Sequence, residues 1–250
     1  MELLGLDIGG SGIKGAIVDS KTGKLLSTRH RLPTPKPATP EAIAETVGAL
    51  VKEFNWTGPV GCSFPSVVRD GKCITYGNLS PAWLGVQADR LFSEHCDGLD
   101  FYVGNDADLA GIAEMSLGAG KGKQGTVVML TVGTGIGSGL FYNGILVPNI
   151  EMGRLYHTNG KIIERYASDA ARKRKELKLS EWARRFDVFL QHIVLCFSPS
   201  YFILGGGISK KFDRFRDQFT ITTPIEVARF GNNAGIVGAA MFAYRAINGQ

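Results

Sequence analysis

The sequence predicts an α/β protein of two domains, each a mixed sheet flanked by helices, and three observations predict it. Strand-like apolar runs such as "LLGLDI" (3–8) are interleaved with longer stretches whose apolar residues recur at helical spacing. One device occurs twice: "DIGGSGIKGAIVD" from Asp7 and "VGTGIGSGLFYNG" from Val132 both read as strand, glycine turn, strand, which points to an internal duplication. The 250 residues suffice for two domains of about 100 to 150 residues each. We expect residues 1–106 to form a small N-terminal domain and 107–250 a larger one, with a C-terminal helix near 234–248 able to pack back on the first and a ligand cleft between the two.

Leu3–Ile8 and Ile13–Asp19 are the first strands, turning at Gly10–Gly12, and "KLLSTRHRL" (24–32) continues as a third. The proline-rich "PTPKPATP" (33–40) is a rigid connection. Pro40 then opens a helix with the stripe Ile43, Val47, Leu50, Val51 and Phe54. Extended structure returns at 59–68 and at "FYVGND" (101–106), directly before the helical "ADLAGIAEMSLGAG". The second half follows the same plan, with strands at 125–133 and 136–144, helices around 161–176 and 180–197, a strand at 201–207, a helix after Ile208, a strand at 222–229 and a last helix from Ala234. Trp182, Phe186, Phe189, Leu190, Ile193 and Phe197 form a core-facing stripe on one of these helices.

Composition narrows the class. With 44% apolar and 20% charged residues the chain is an ordinary globular protein. Glycine is the exception, at 33 residues about twice the usual ~7%. Thirteen of these glycines fall in 5–15, 133–144 and 204–209, where backbone is expected to approach a ligand. A net charge of +5 suits an anionic ligand without demanding nucleic acid, and "ARKRKELK" (171–178) is the one dense basic run. Cys62, Cys73, Cys96 and Cys196 have neither zinc-ligand spacing nor the density of a disulfide framework, so no structural zinc and a reducing, cytoplasmic setting are expected. No signal-length apolar segment precedes Asp7 and no run approaches the ~18 apolar residues of a membrane span, so no membrane partner is expected.

Gly10, Gly12 and Gly15 spell G-x-G-x-x-G, yet the third glycine leads into the strand-like "AIVD", and His30 and Arg31 stand where a dinucleotide fold places its ribose-binding acid. "GAGKGK" (118–123) likewise lacks the spacing and the hydroxyl residue of a Walker loop. What remains is a hairpin turn, Gly9, Gly10, Ser11 and Gly12, whose backbone N–H groups form an anion-binding concavity, with Lys14 adding a mobile charge. A carboxylate at Asp7 would repel that anion unless a cation intervened, so Mg²⁺ is expected near Asp7, through water.

At "LGLDIGGSGIKGAIVD", "NDAD", "TVGTGIGSGL", "NIEMG", "ILGGGIS" and "AGIVGAA" the chain resembles the ROK family of sugar kinases, within the actin, hexokinase and Hsp70 superfamily, and most resembles its polyphosphate-dependent glucokinases, some of which also use ATP. The resemblance runs from about residue 3 to 245 and implies two actin-like (ribonuclease H-like) domains. It implies phosphoryl transfer from ATP or inorganic polyphosphate to the 6-hydroxyl of glucose, a chemistry in which positioning and electrostatics supply most of the acceleration. Asp106 would be the general base and Asn105 a sugar ligand, while Gly133, Thr134 and Gly135 would meet the transferred phosphate. Glu151, Glu164 and Asn78 would bind sugar hydroxyls, and Gly205, Gly206 and Gly207 would leave room for adenosine. Trp83 is either part of the sugar loop or a core anchor for it, and Asp108 reads as a surface acid.

The chain departs from the family pattern in three respects. Arg154 stands where many members carry a histidine, with His157 as a possible substitute, and Ser66 stands where glycine is usual. The family's cysteine-rich zinc cluster is missing, as in the polyphosphate-using branch. For a polyanionic donor, the run Arg172–Lys175 and the loop residues Lys121 and Lys123 are candidate docking charges. Three other readings stand beside this one. They are a strictly ATP-dependent hexose or N-acetylhexosamine kinase, a non-catalytic sugar-binding relic, and a sugar-sensing regulator, whose helix-turn-helix segment would precede the phosphate hairpin. The family resemblance also implies a homodimer.

Overall fold

The structure is a computed structural model that describes residues 1–157 and 159–249. Two compact units partition the chain, residues 1–113 with 233–250, and residues 114–232.

In the first unit β1 (Glu2–Gly9) and β2 (Gly12–Asp19) pair antiparallel from Glu2↔Asp19 to Gly9↔Gly12, leaving Gly10 and Ser11 as the turn. β3 (His30–Leu32) joins the far edge of β2. The expected strand from residue 24 is shortened to these three residues, with only a bridge at Leu25↔Val18 upstream. The Ser27 hydroxyl accepts the Ile17 N–H at 3.0 Å, so a side chain stands where a ladder carbonyl would have been. α1 (Pro40–Glu53) is capped by the Thr39 hydroxyl and buries Ile43, Val47, Leu50 and Val51. β4 (Val60–Phe64) is buried along its length and runs parallel to β1. A small hairpin of β5 (Val68–Arg69) and β6 (Lys72–Cys73) and the helix α2 (Ala88–Glu94) follow, all three beyond what the sequence led us to expect. β7 (Phe101–Asn105) pairs parallel with β4 and leads straight into α3 (Asp106–Leu117).

The second unit holds β8 (Thr126–Val132) and β9 (Ile136–Tyr142) as an antiparallel pair around Gly133–Gly135, then a short β10 (Ile145–Val147). The helix expected across 161–176 is instead α4 (Ile163–Ala167) and α5 (Asp169–Arg174). Ser168 is extended between them, and its hydroxyl accepts the Ala171 N–H and caps the second. α6 (Leu179–Phe197) carries the aromatic stripe inward, with Phe197 only half-buried. β11 (Tyr201–Gly205) and β12 (Ile225–Val227) complete the sheet, and the helix expected after Ile208 is a 3₁₀ run over Gly207–Arg214.

The sheet orders β3-β2-β1-β4-β7 and β10-β9-β8-β11-β12 are the same, with two antiparallel pairs followed by two parallel ones in each. The duplication read from the two glycine hairpins therefore extends to whole sheets of actin-like topology. α7 (Ala234–Ile247) closes the chain on the first unit, packed on β1, β4 and β7. Its small residues permit this close approach. A Cβ at Gly61 would overlap the Ala239 carbonyl, and one at Gly238 would overlap the Leu109 carbonyl of α3. Phe64, Trp83 and Phe92 anchor the core of the first unit, and Trp182, Phe186, Phe202 and Phe215 that of the second.

Candidate active site

The first hairpin is held from below. Arg31 of β3 donates to the Ser11 carbonyl at 2.6 Å, and the Thr34 hydroxyl donates to the Gly9 carbonyl at 2.5 Å. Gly10 faces open space. Opposite Lys14 in the β1–β2 register stands Asp7, and the Lys14 ammonium lies 3.0 Å from its carboxylate. The Ser63 hydroxyl of β4 donates to the other Asp7 oxygen at 3.4 Å. Lys14 is thus paired with the very carboxylate expected to sit beside a cation. Sequence reasoning passed over Ser63, Arg31 and Thr34. Only Arg31 carries a signal, as a cation where a dinucleotide fold places an acid, about 20 residues beyond the glycine turn.

At the end of β7 the two adjoining site residues divide their work. The Asn105 carboxamide oxygen accepts the Ala107 and Asp108 N–H groups at 2.9 and 3.1 Å, which caps α3, and its NH₂ donates to the Ser66 carbonyl at 3.1 Å. Asp106 is half-buried at the first position of α3 and accepts the Ala107 N–H at 2.8 Å. Asn105 is therefore the buried cap, and Asp106 is the carboxylate presented at the helix start. Ser66 is buried and donates to the Thr75 carbonyl at 2.5 Å, which ties the strand end to the loop bearing Asn78, an exposed turn residue. Trp83 resolves as a core anchor, fully buried with its indole N–H on the Ala38 carbonyl at 3.0 Å. Asp108 is buried rather than a surface acid, since the turn following Asn105 faces the core.

The second unit gathers its own set. Around Gly133–Thr134–Gly135, the Gly133 N–H donates to the Gly135 carbonyl at 3.0 Å, and the Ala170 N–H of α5 donates to the Gly133 carbonyl at 3.1 Å. Glu164 on α4 comes up against Gly135, close enough to touch a Cβ there, and its carboxylate lies 3.6 Å from the Arg154 guanidinium. Glu151, half-buried before the 3₁₀ turn Met152–Arg154, joins them. Desolvation raises its pKa above the usual carboxylate range, Arg154 opposes the shift and Glu164 adds to it. Buried Ser138 of β9 fixes this segment, donating to the Ile150 carbonyl at 2.5 Å and accepting the Met152 N–H at 2.8 Å. Gly206, at φ +79°, lies against the backbone of Val132, so the Gly205–Gly207 bend adjoins the Gly133 turn. His157 is buried against the Tyr166 ring, centroids 4.4 Å apart.

Of the expected docking charges, Arg172 and Lys173 are paired with Asp169 at 2.7 and 2.9 Å, and Lys123 is paired with Glu226 and stacked over Tyr201. Among the described residues no group of three or more His, Cys, Asp or Glu side chains is arranged to hold a metal, and no helix is long and apolar enough to cross a membrane.

Known proteins place these features in context. The sequence pattern of the ROK family matches residues 3–148. The polyphosphate glucokinase of Mycobacterium tuberculosis is 44% identical over 237 residues, covering 95% of this chain and 89% of that protein. The crystal structure of the inorganic polyphosphate/ATP-glucomannokinase of Arthrobacter sp. strain KM superposes with a TM-score of 0.92 at 44% identity, covering 98% of this chain and 99% of that one. A ROK family glucokinase from Streptomyces griseus, solved with glucose and AMPPNP, superposes with a TM-score of 0.82 at 25% identity, covering 98% of this chain and 100% of that one. With matching glycine hairpins, sheet order and sequence over nearly its whole length, the chain belongs to the ROK family.

Proposed function

We propose that the protein is a glucokinase that moves a phosphoryl group from inorganic polyphosphate or ATP to the 6-hydroxyl of glucose. The observation that carries this reading is the 44% identity to a polyphosphate glucokinase across 95% of the chain. Asp106 accepts the hydroxyl proton as oxygen attacks phosphorus, a contribution of roughly 10²- to 10⁴-fold. Asn105 holds the turn that presents it, and Asn78, Glu151 and Glu164 take the sugar hydroxyls. The N–H groups of the Gly9–Gly12 and Gly133–Gly135 turns, with Ser11 and Thr134, receive phosphate oxygens. Lys14 adds a charge, and its pairing with Asp7 keeps both groups compensated until a polyanion arrives. The Gly205–Gly207 bend leaves room for the adenosine of ATP.

One carboxylate with a neighbouring hydroxyl, Asp7 with Ser63, suits Mg²⁺, which keeps several waters and takes one or two carboxylates plus substrate phosphates. When bound it would offset phosphate charge. The protein works in the cytoplasm as a homodimer, which sedimentation of the purified chain tests.

The deciding assay offers glucose, mannose and N-acetylmannosamine with ATP or polyphosphate in the presence of Mg²⁺. Glucose 6-phosphate from both donors is expected. Turnover with ATP alone selects the strictly ATP-dependent reading, and none with any pair overturns the proposal.

A further inference from the structure

The cations expected to guide a polyanion are only partly available, because Asp169 neutralises Arg172 and Lys173. A different set is left uncompensated around Tyr166 of α4. Lys175, just past α5, places its ammonium 5.5 Å from the Tyr166 ring centroid, and the Arg185 guanidinium of α6 lies 4.6 Å from the same centroid. Lys161, before α4, and Arg174 are close enough to act on the Lys175 charge. None of these four takes part in an ion pair within 4.0 Å among the described residues. Arg174 donates to the Arg165 carbonyl at 3.2 Å. On Arg185 the Nη1 atom is buried with no hydrogen-bond partner. A buried guanidinium N–H without an acceptor costs free energy unless a ligand supplies one. The Lys175 pKa is lowered, by desolvation and then by the like charges of Lys161, Arg185 and Arg174. Such repulsion persists in a fold only at some cost, and a bound anion removes it.

We propose that Lys161, Arg174, Lys175 and Arg185 form a docking site for the distal segment of an inorganic polyphosphate chain, apart from the glycine turn where transfer takes place. The proposal rests on the kinase reading above and adds to it the residues that distinguish the polymer from ATP. Glu164 and Tyr166 are two residues apart on α4, so they project about 200° apart around its axis. The cluster and the Gly133–Gly135 turn therefore flank opposite sides of one short helix in the same unit. Three phosphates held at the turn do not reach around a helix about 10–12 Å across, whereas a long chain does. Phosphate chemistry matches the donors, since guanidinium forks bind phosphate oxygens with paired hydrogen bonds and ammonium groups add charge. A nucleic acid fits less well. The Tyr166 ring is already contacted by His157, Lys175 and Arg185, which competes with a base stacking on it.

The test compares the intact enzyme with the Lys161→Ala/Arg174→Ala/Lys175→Ala triple variant, whose three side chains are exposed, and with Arg185→Lys, which keeps the charge but loses the fork. KM is measured for long-chain polyphosphate, tripolyphosphate and ATP, and direct binding of long-chain polyphosphate is measured without sugar. We expect the triple variant to raise KM for the long chain by roughly tenfold and to flatten its salt dependence, with tripolyphosphate and ATP values within twofold of the parent. Arg185→Lys should show a smaller rise for the long chain only. Equal effects on all three donors, or none, overturn the site, as does tighter binding of a single-stranded oligonucleotide than of polyphosphate. Should the parent bind long-chain polyphosphate through these residues and yet phosphorylate no sugar, the kinase reading fails and the docking site stands.

Discussion

At the scale of single residues, the site rests on a division between side chains that hold backbone and side chains that meet substrate. Asn105 accepts two N–H groups of α3 and donates to Ser66, so its neighbour Asp106 is fixed in position without itself supplying the cap. Asp106→Asn keeps an oxygen for the Ala107 N–H and removes the base. We expect kcat to fall at least ~100-fold while glucose affinity, read by equilibrium titration, changes little. A variant with near-normal turnover would remove Asp106 from the role. Glu151 makes a second prediction, about pH. Its carboxyl is raised in the folded state, by desolvation first and by Glu164 next, so the native protein binds that proton more tightly than the unfolded chain does. Stability from this group is therefore present at low pH and is lost as pH climbs from the ordinary carboxylate range through the raised value. Glu151→Gln should raise the melting temperature at neutral pH, and the gain should disappear below about pH 4. A gain that instead grows on acidification would contradict the desolvated carboxylate.

At the scale of elements, glycine and serine decide where structure breaks and how closely it packs. The α7 helix, "AGIVGAAMFAYRAI", approaches β4 and α3 because Gly61 and Gly238 have no Cβ to meet the opposing carbonyls. Gly238→Ala forces α3 and α7 apart, and we expect a loss of about 1–3 kcal/mol, measured by denaturant titration. An unchanged midpoint would show that the helices can shift at no cost. Between α4 and α5, Ser168 turns what reads as one helix of residues 161–176 into two, because its hydroxyl captures the Ala171 N–H and its own backbone is extended. That break brings the Ala170 N–H to the Gly133 carbonyl, and the short α4 presents Glu164 on one side and Tyr166 on another.

For the whole molecule, the net charge of +5 leaves cations in excess of acids, and four that take part in no ion pair among the described residues, Lys161, Arg174, Lys175 and Arg185, gather around Tyr166. A donor bound along many phosphates releases more counterions than one bound by three. KM for long-chain polyphosphate should therefore rise with salt far more steeply than KM for ATP, as initial rates between about 50 and 200 mM salt would show. Parallel slopes would mean that both donors are held by the same few contacts. Either donor should also raise the melting temperature in proportion to the logarithm of its concentration above Kd.

Much of this architecture is legible in the chain because it depends on local covalent chemistry. Glycine turns between apolar runs yield hairpins, Pro40 and Thr39 begin a helix, and a repeated hairpin implies a repeated sheet. Asp7, Lys14 and Asp106 were identifiable for the same reason, each lying next to such a turn or strand end, whereas Glu151 and Glu164 were singled out by the family resemblance. Partners distant in sequence were not legible. That Ser63 would meet Asp7 from the next strand, that Asn105 would spend its carboxamide on a cap and on Ser66, or that Asp169 would neutralise half of the basic run, depends on register and on the short helices. Sequence by itself determined the kind of fold and the chemical groups placed near its turns, since those follow from residue type and spacing. Tertiary structure alone decided which charges are compensated and which remain available, because an ion pair forms only where packing brings two side chains within about 4 Å.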